Sequence, residues 1–246
     1  MNRVIHYLAG LFLVLALTGC IQVEQTLQLA SDGSGVLMLR YGMTEETLAQ
    51  MEAMEQMAKA FGNDEEDSTS DLPFEFDEDR VREEFAANQV DGLELRTVRA
   101  ETVDGWRYMN LEIAFDRLEL ITEHEFYSDN RLTLQRNAAG HYVLTQYSGD
   151  EDSFGLGNSG MELDELEGAM LQQMASLFEG MRIVSTVITP SAIIDSNADV
   201  VERKRASWIF DIDQDPAVLQ RMKTLEMRLV FDGKGVTLPT IDTQAN

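Results

Sequence analysis

The side chains able to do chemistry in this chain of 246 residues are few and scattered. Cys20 is the only thiol, so no disulfide can form within the chain, and a lone cysteine asks for a role of its own. Past Cys20 there are two histidines, His124 and His141, the first near an expected helix end and the second in an expected strand after a turn. Neither has the surrounding motif that a base, a nucleophile and an orienting group would make. Gly157-Asn158-Ser159-Gly160 lacks the strand–turn–helix frame of a nucleophile elbow. No glycine-rich phosphate loop ends in Lys-Ser or Lys-Thr. Acidic pairs abound, but among 44 carboxylates they single out nothing. These residues predict a protein that is not an enzyme and carries no cofactor.

Metal chemistry has two openings. Asp211-Ile212-Asp213-Gln214-Asp215 imitates the first ligands of a calcium loop. Pro216 then stands where the loop needs glycine, and Met222 where it needs a bidentate Glu, so turn and capping roles account for the aspartates. Met51, Met54 and Met57 recur every third residue, and soft thioethers at such spacing select Cu(I). The same spacing draws the apolar side of a helix, and methionine is both a flexible core filler and an adaptable lining for apolar surfaces. Met170, Met174 and Phe178 lie on a second such face. The two faces therefore fit ordinary core packing, an apolar groove for an amphiphile, or, for the first triad, copper.

The segment before Cys20 gives an address. Arg3 precedes an apolar run over 4–17, and Leu17-Thr18-Gly19-Cys20 closes it. That is the charged start, h-region and small-residue cut site of an export signal. The run is short of the ~20 apolar residues a bilayer span needs. Its ending resembles the lipobox of bacterial lipoproteins, in which the cysteine is joined to diacylglycerol and residues 1–19 are removed. The resemblance implies that Cys20 is lipidated and that 20–246 is a single extracytoplasmic domain held to the membrane by that lipid. In a two-membrane envelope, Ile21 after the cysteine, in place of aspartate, implies the outer membrane, facing the periplasm.

Charge narrows the partners. The formal net charge is −25, and losing Arg3 with the signal makes the mature chain more negative still. Nucleic acid needs basic surface, so it is not a partner. The only basic run is Arg203-Lys204-Arg205. It reads either as a solvated hairpin tip or as a local contact to lipid head groups, where each charge contributes about 1 kcal/mol near an anionic surface.

The positioning elements are mostly hairpins. Ile21–Leu29 alternates apolar and polar residues, the mark of a half-buried strand. Turn residues at 31–35 return it through Val36–Tyr41. Leu93–Thr102 and Trp106–Phe115 meet at Asp104-Gly105, a strong hairpin dipeptide. Arg131–Arg136 and His141–Tyr147 flank Asn137–Gly140. Later strands are expected at Arg182–Ile188, Ala206–Ile212 and Leu225–Phe231, with a turn at Asp195–Ala198. Thr44 can cap a helix bearing the first methionines, Asp79–Ala87 suits a short helix, Asp116–Glu123 one or two turns, and 163–181 a longer helix. Acidic loops are expected near 62–79 and 148–160. The sum is an α+β fold, a mainly antiparallel sheet of hairpins with two or three packed amphipathic helices.

Several of these features together resemble the LppM-like or DUF3153-like bacterial lipoproteins. They are the lipobox, a strand directly after the cysteine, Phe115-Asp116-Arg117-Leu118 in mid-chain, and the late series Ile188-Thr189-Pro190, Asn197-Ala198 and Ser207-Trp208-Ile209-Phe210. The resemblance implies an envelope-anchored α+β domain with a lipid-related role, and it transfers no catalytic residue. The expected function is a non-enzymatic envelope lipoprotein binding a lipid, another amphiphile or an envelope protein. A periplasmic Cu(I) protein using Met51, Met54 and Met57, or a structural subunit of an envelope assembly, are the alternatives.

Overall fold

The computed structural model describes residues 21–50, 53, 76–123, 131–147, 179–218, 221–222 and 226–242. Cys20, His124, both methionine faces, 148–160 and all but the last four residues of the acidic loop expected at 62–79 lie outside the described residues, and of those four Asp77 to Asp79 form the cap and start of a helix instead.

Among the described residues, twelve strands form two sheets. The larger takes β1 (Ile21–Leu29), β2 (Gly35–Thr44), β3 (Leu93–Val103), β4 (Trp106–Phe115), β7 (Arg182–Ile188), β9 (Val200–Val201) and β10 (Arg205–Asp211), in the order β3-β4-β2-β1-β7-β10-β9. The smaller holds β5 (Arg131–Arg136), β6 (Tyr142–Tyr147), β8 (Ile193–Ser196), β11 (Glu226–Phe231) and β12 (Ile241–Asp242), in the order β12-β5-β6-β11-β8. Two helices carry full boundaries, α1 (Glu78–Ala87) and α2 (Glu119–Glu123), and residues 45–50 are helical as well. The α+β class expected from the sequence holds.

Local chemistry explains the hairpins. Asp104 and Gly105 both take positive φ, 52° and 77°, as the two centres of a primed hairpin turn require. Asn137 Oδ1 accepts from the Ala139 and His141 amides, fixing the β5–β6 turn. Thr44 Oγ1 caps the helical segment by accepting from the Thr47 amide at 3.2 Å. Asp77 caps α1 through the Asp79 and Arg80 amides.

Alternation then builds one core from both sheets. Leu27 and Leu29, Leu37 and Leu39, Met109 through Phe115 at every second position, and Ala206, Trp208 and Phe210 point inward from the larger sheet. Leu132, Leu134, Leu144, Met227, Leu229 and Phe231 meet them from the smaller.

The mainly antiparallel pairing expected from the hairpins holds; the described strands spread it over two sheets, with one parallel pair, β1 beside β7, Gln22 opposite Arg182 through Gln28 opposite Ile188. The turn expected at Asp195–Ala198 starts too early, because Asp195 and Ser196 belong to β8 and pair with Val230 and Leu229. The turn proper belongs to Asn197. Its Oδ1 accepts from the indole Nε1 of buried Trp208 at 3.0 Å and from the Arg228 amide at 2.9 Å, while its Nδ2 donates to the Glu226 carbonyl. One side chain thus ties the larger sheet to the smaller. Asn197→Ala leaves the indole N–H without its acceptor, and a buried donor stranded in this way costs about 1–3 kcal/mol. Urea unfolding followed by tryptophan fluorescence should register a loss of that size.

Candidate functional site

The strand registers sort the candidate residues onto two opposite ends of the larger sheet. At the first end, Ile21 pairs with Met43, Met43 with Arg107, and Thr44 with Trp106. The β3–β4 turn therefore projects slightly past the level of Ile21. Its Gly105 carbonyl accepts from the Glu45 amide at 2.9 Å, fastening the turn to the start of the helical segment. Cys20, the residue before Ile21, lies outside the described residues.

The same end carries an aromatic cluster. Tyr108 crosses β2 at Gly42, where an added Cβ would stand 2.3 Å from the ring, so only glycine leaves it room. Trp106 stacks on Tyr108 with centroids 5.8 Å apart, the Arg40 guanidinium lies 3.5 Å over the Tyr108 ring, and the Tyr108 hydroxyl donates to Gln22 Oε1. This cluster locks the first residues of β1 to β2 and β4.

At the opposite end, Arg205 pairs with Ile188, which is level with Gln28. That is seven positions beyond Ile21 along β1, or roughly 23 Å at strand rise. Here Arg203, Lys204 and Arg205 close the β9–β10 hairpin, with Glu202 and Arg205 exchanging backbone hydrogen bonds. Lys204 Nζ donates to the Pro190 carbonyl at 2.6 Å, and Arg205 pairs with Glu202 at 3.9 Å. Neighbouring cations are neutralised, Arg221 by Asp199 and Arg228 by Asp195, each at 2.9 Å. Among the described residues, Arg203 and Lys204 have no carboxylate partner. Beside them Ile194, Val200 and Val201 are 51%, 45% and 49% exposed. The sequence pattern drew attention to the three cations and passed over the aliphatics. The adjacency of Val200-Val201 to the basic run was the available signal.

An open cleft of about 600 Å³ also lies at this end, between the β1–β2 turn and the start of β3, walled by Gln28, Ser34, Glu94, Arg96 and Asp116. Arg96 is already held by Glu94 at 3.1 Å and Glu112 at 3.9 Å. Asp32 beside it accepts from the Ser34 hydroxyl and amide, which hold its carboxyl below the ordinary range.

The remaining candidates resolve into turn chemistry. Asp211 accepts from the Gln214 amide, Asp213 from the Gly180 amide and Asp215 from the Ala217 amide. Among the described residues no group of three or more metal-binding side chains converges. His141, expected in a strand, instead precedes β6 by one residue, with its backbone held by Asn137. Met51, Met54, Met57, Met170, Met174, Phe178 and His124 lie outside the described residues. No described helix is long and apolar enough to cross a membrane.

Both edges of the larger sheet are closed by the same device. On β3, Glu78 Oε1 accepts from the Ala100 amide at 2.9 Å and Arg82 Nη2 donates to the Val98 carbonyl at 2.8 Å, the two side chains being ion-paired at 3.1 Å. On β10, past the short β9, Asp199 Oδ2 accepts from the Ile209 amide at 2.6 Å and Arg221 Nη2 donates to the Ile209 carbonyl. A carboxylate–arginine pair stands in for the missing strand at each edge.

No family model matches the chain, and no curated protein matches it. Among solved structures it is similar to the NMR structure of the folded domain of LppM from Mycobacterium tuberculosis, at 14% identity and a TM-score of 0.41, over 89% of this chain and 94% of that one.

The Ala100 amide, and after it Arg82, hold the Glu78 carboxyl below its ordinary 4.5. A carboxylate with a lowered folded value stabilises fully above its unfolded pKa and loses that contribution as pH falls through the folded one. Glu78 therefore secures the β3 edge above about pH 4.5 and releases it in stronger acid. Hydrogen exchange should show the Ala100 amide losing protection in Glu78→Ala at pH 7. Acidification should produce the same loss in the parent chain, and a smaller change in the variant.

Proposed function

We propose that the chain is a lipid-anchored extracytoplasmic envelope protein with no enzymatic role, which holds a binding end at a fixed distance from its membrane. Lipid on Cys20 attaches it, and the working surface is the far end of the larger sheet, where it meets an amphiphile or an envelope partner. The observation that carries this reading is the position of β1. It begins at the residue after Cys20, and it is hydrogen-bonded on both sides, to β2 and to β7. A terminal segment with no gap before a central strand cannot serve as a slack tether. It transmits the position of the anchor directly into the middle of the fold, and the nine residues of β1 span about 30 Å from one end to the other.

One acyl chain would hold such a domain marginally, whereas the several chains of a lipoprotein hold it firmly. Cys20→Ser should therefore move the protein from the membrane fraction to the soluble fraction after cell lysis and high-speed sedimentation. Mass spectrometry of the parent should find residue 20 as the acylated amino terminus. Retention of Cys20→Ser in the membrane, resistant to salt and carbonate washing, would show that the apolar run over 4–17 is itself the anchor and would refute the reading.

A further inference from the structure

We infer that the β9–β10 hairpin tip is a docking surface for an anionic phospholipid bilayer other than the one that holds Cys20, an inference that rests on the anchored reading above. Three observations meet at this tip. Its valines Val200 and Val201, and Ile194 on β8 beside it, are about half exposed, three of the five exposed large apolar side chains among the described residues. Its two cations Arg203 and Lys204 lack carboxylate partners among the described residues, while Arg205, Arg221 and Arg228 around them are ion-paired. And it projects from the end of the sheet opposite Ile21.

Charge and shape select the occupant. Within the hairpin loop itself three cations, Arg203, Lys204 and Arg205, stand against one carboxylate, Glu202, on a chain of formal charge −25. It is therefore the surface that an anionic partner can approach without repulsion. Three half-exposed aliphatics offer on the order of 200 Å² of apolar surface, far below the ~800 Å² per partner that a stable protein interface buries. A small convex tip of branched aliphatics beside two cations suits a soft surface instead. The valines and isoleucine enter the boundary between head groups and acyl chains, and Arg203 and Lys204 meet the phosphates.

The position of the tip decides which bilayer. It stands roughly 23 Å along the strands from the level of Ile21, and β1 follows Cys20 without a linker. A domain standing on its lipid anchor presents this tip away from its own leaflet, toward a facing surface.

The test uses the full lipidated chain reconstituted through Cys20 into phosphatidylcholine donor vesicles, mixed with labelled acceptor vesicles. Acceptors containing phosphatidylglycerol should be captured at low ionic strength, and pure phosphatidylcholine acceptors should not. Capture should fall at least about tenfold in Arg203→Glu/Lys204→Glu. It should fall several-fold in Val200→Ser/Val201→Ser, and largely vanish at 0.5 M salt, where charges are screened within a few ångströms. Arg80→Glu, an exposed reversal on α1, should change little.

Donor loading reports on the Cys20 reading separately. The chain carrying Cys20→Ser, sedimented with phosphatidylglycerol vesicles alone, reads the tip whatever the donors do, and binding that depends on Arg203 and Lys204 supports it there too. Capture that ignores the double reversal, or that is equal for neutral acceptors, overturns the inference. Self-association in vesicle-free solution that is lost in Arg203→Glu/Lys204→Glu would assign the tip to a second copy and overturn it equally.

Discussion

The parallel pairing of β1 with β7 is the interaction on which the rest of the domain depends. Without it β3-β4-β2-β1 would be a sheet with an open apolar flank, and β7-β10-β9 a separate fragment. The register sets Gln22 beside Arg182, so the whole of β2 to β6 lies inside the closed loop. Closing so long a loop is less costly than its length suggests, because each doubling adds only about 0.6 kcal/mol. The larger consequence is kinetic, since pairing at this separation follows the local hairpins rather than nucleating them. It also makes the first strand a central one, and any anchor attached ahead of Ile21 is thereby joined to the middle of the fold.

An open sheet of seven strands leaves two edges, and backbone groups at an edge invite pairing with another chain. Here each edge is answered with the same chemistry, a carboxylate on the N–H and an arginine on the C=O. Glu78 and Arg82 come from one helix, four residues apart, whereas Asp199 precedes β9 and Arg221 lies in the helical residues 221–222. Each pair is exposed enough that its ion pair alone contributes little. What matters is that both partners are aimed at the backbone, so a competing strand would have to displace two charged hydrogen bonds before forming its own.

Much of the fold was legible because its chemistry is local. Asp104-Gly105, Asn137–Gly140, Thr44 and the alternation in β1 each specify their element within a few residues, and the structure places them as read. What was not legible depends on residues distant in sequence. The parallel register of β1 leaves no mark on its own alternation, and β8 is only four residues long with two of them polar. Division into two sheets follows from where β11 finds β6 and β8, which periodicity cannot report. The candidate site divides the same way. Arg203, Lys204 and Arg205 stand out as a basic run in an acidic chain. Their isolation from carboxylates does not, because Glu202, Asp199 and Asp195 lie nearby in sequence and are drawn off to Arg205, Arg221 and Arg228. The exposure of Val200 and Val201 is likewise a property of a two-residue edge strand, not of valine.

The two ends of the larger sheet are physically independent, and that gives the molecule a direction. At physiological salt the screening length is about 8 Å, well short of the roughly 23 Å between the level of Ile21 and that of Arg205. The strong net negative charge therefore governs how whole molecules repel one another at a distance, while contact at the tip is governed by the few charges within its own screening length. Those are arranged so that two cations remain over. An acidic protein that carries a small, uncompensated basic tip rejects most anionic surfaces in most orientations and accepts them in one. Under the anchoring proposed through Cys20, β1 would set that one orientation relative to the membrane rather than leave it averaged over a flexible tether.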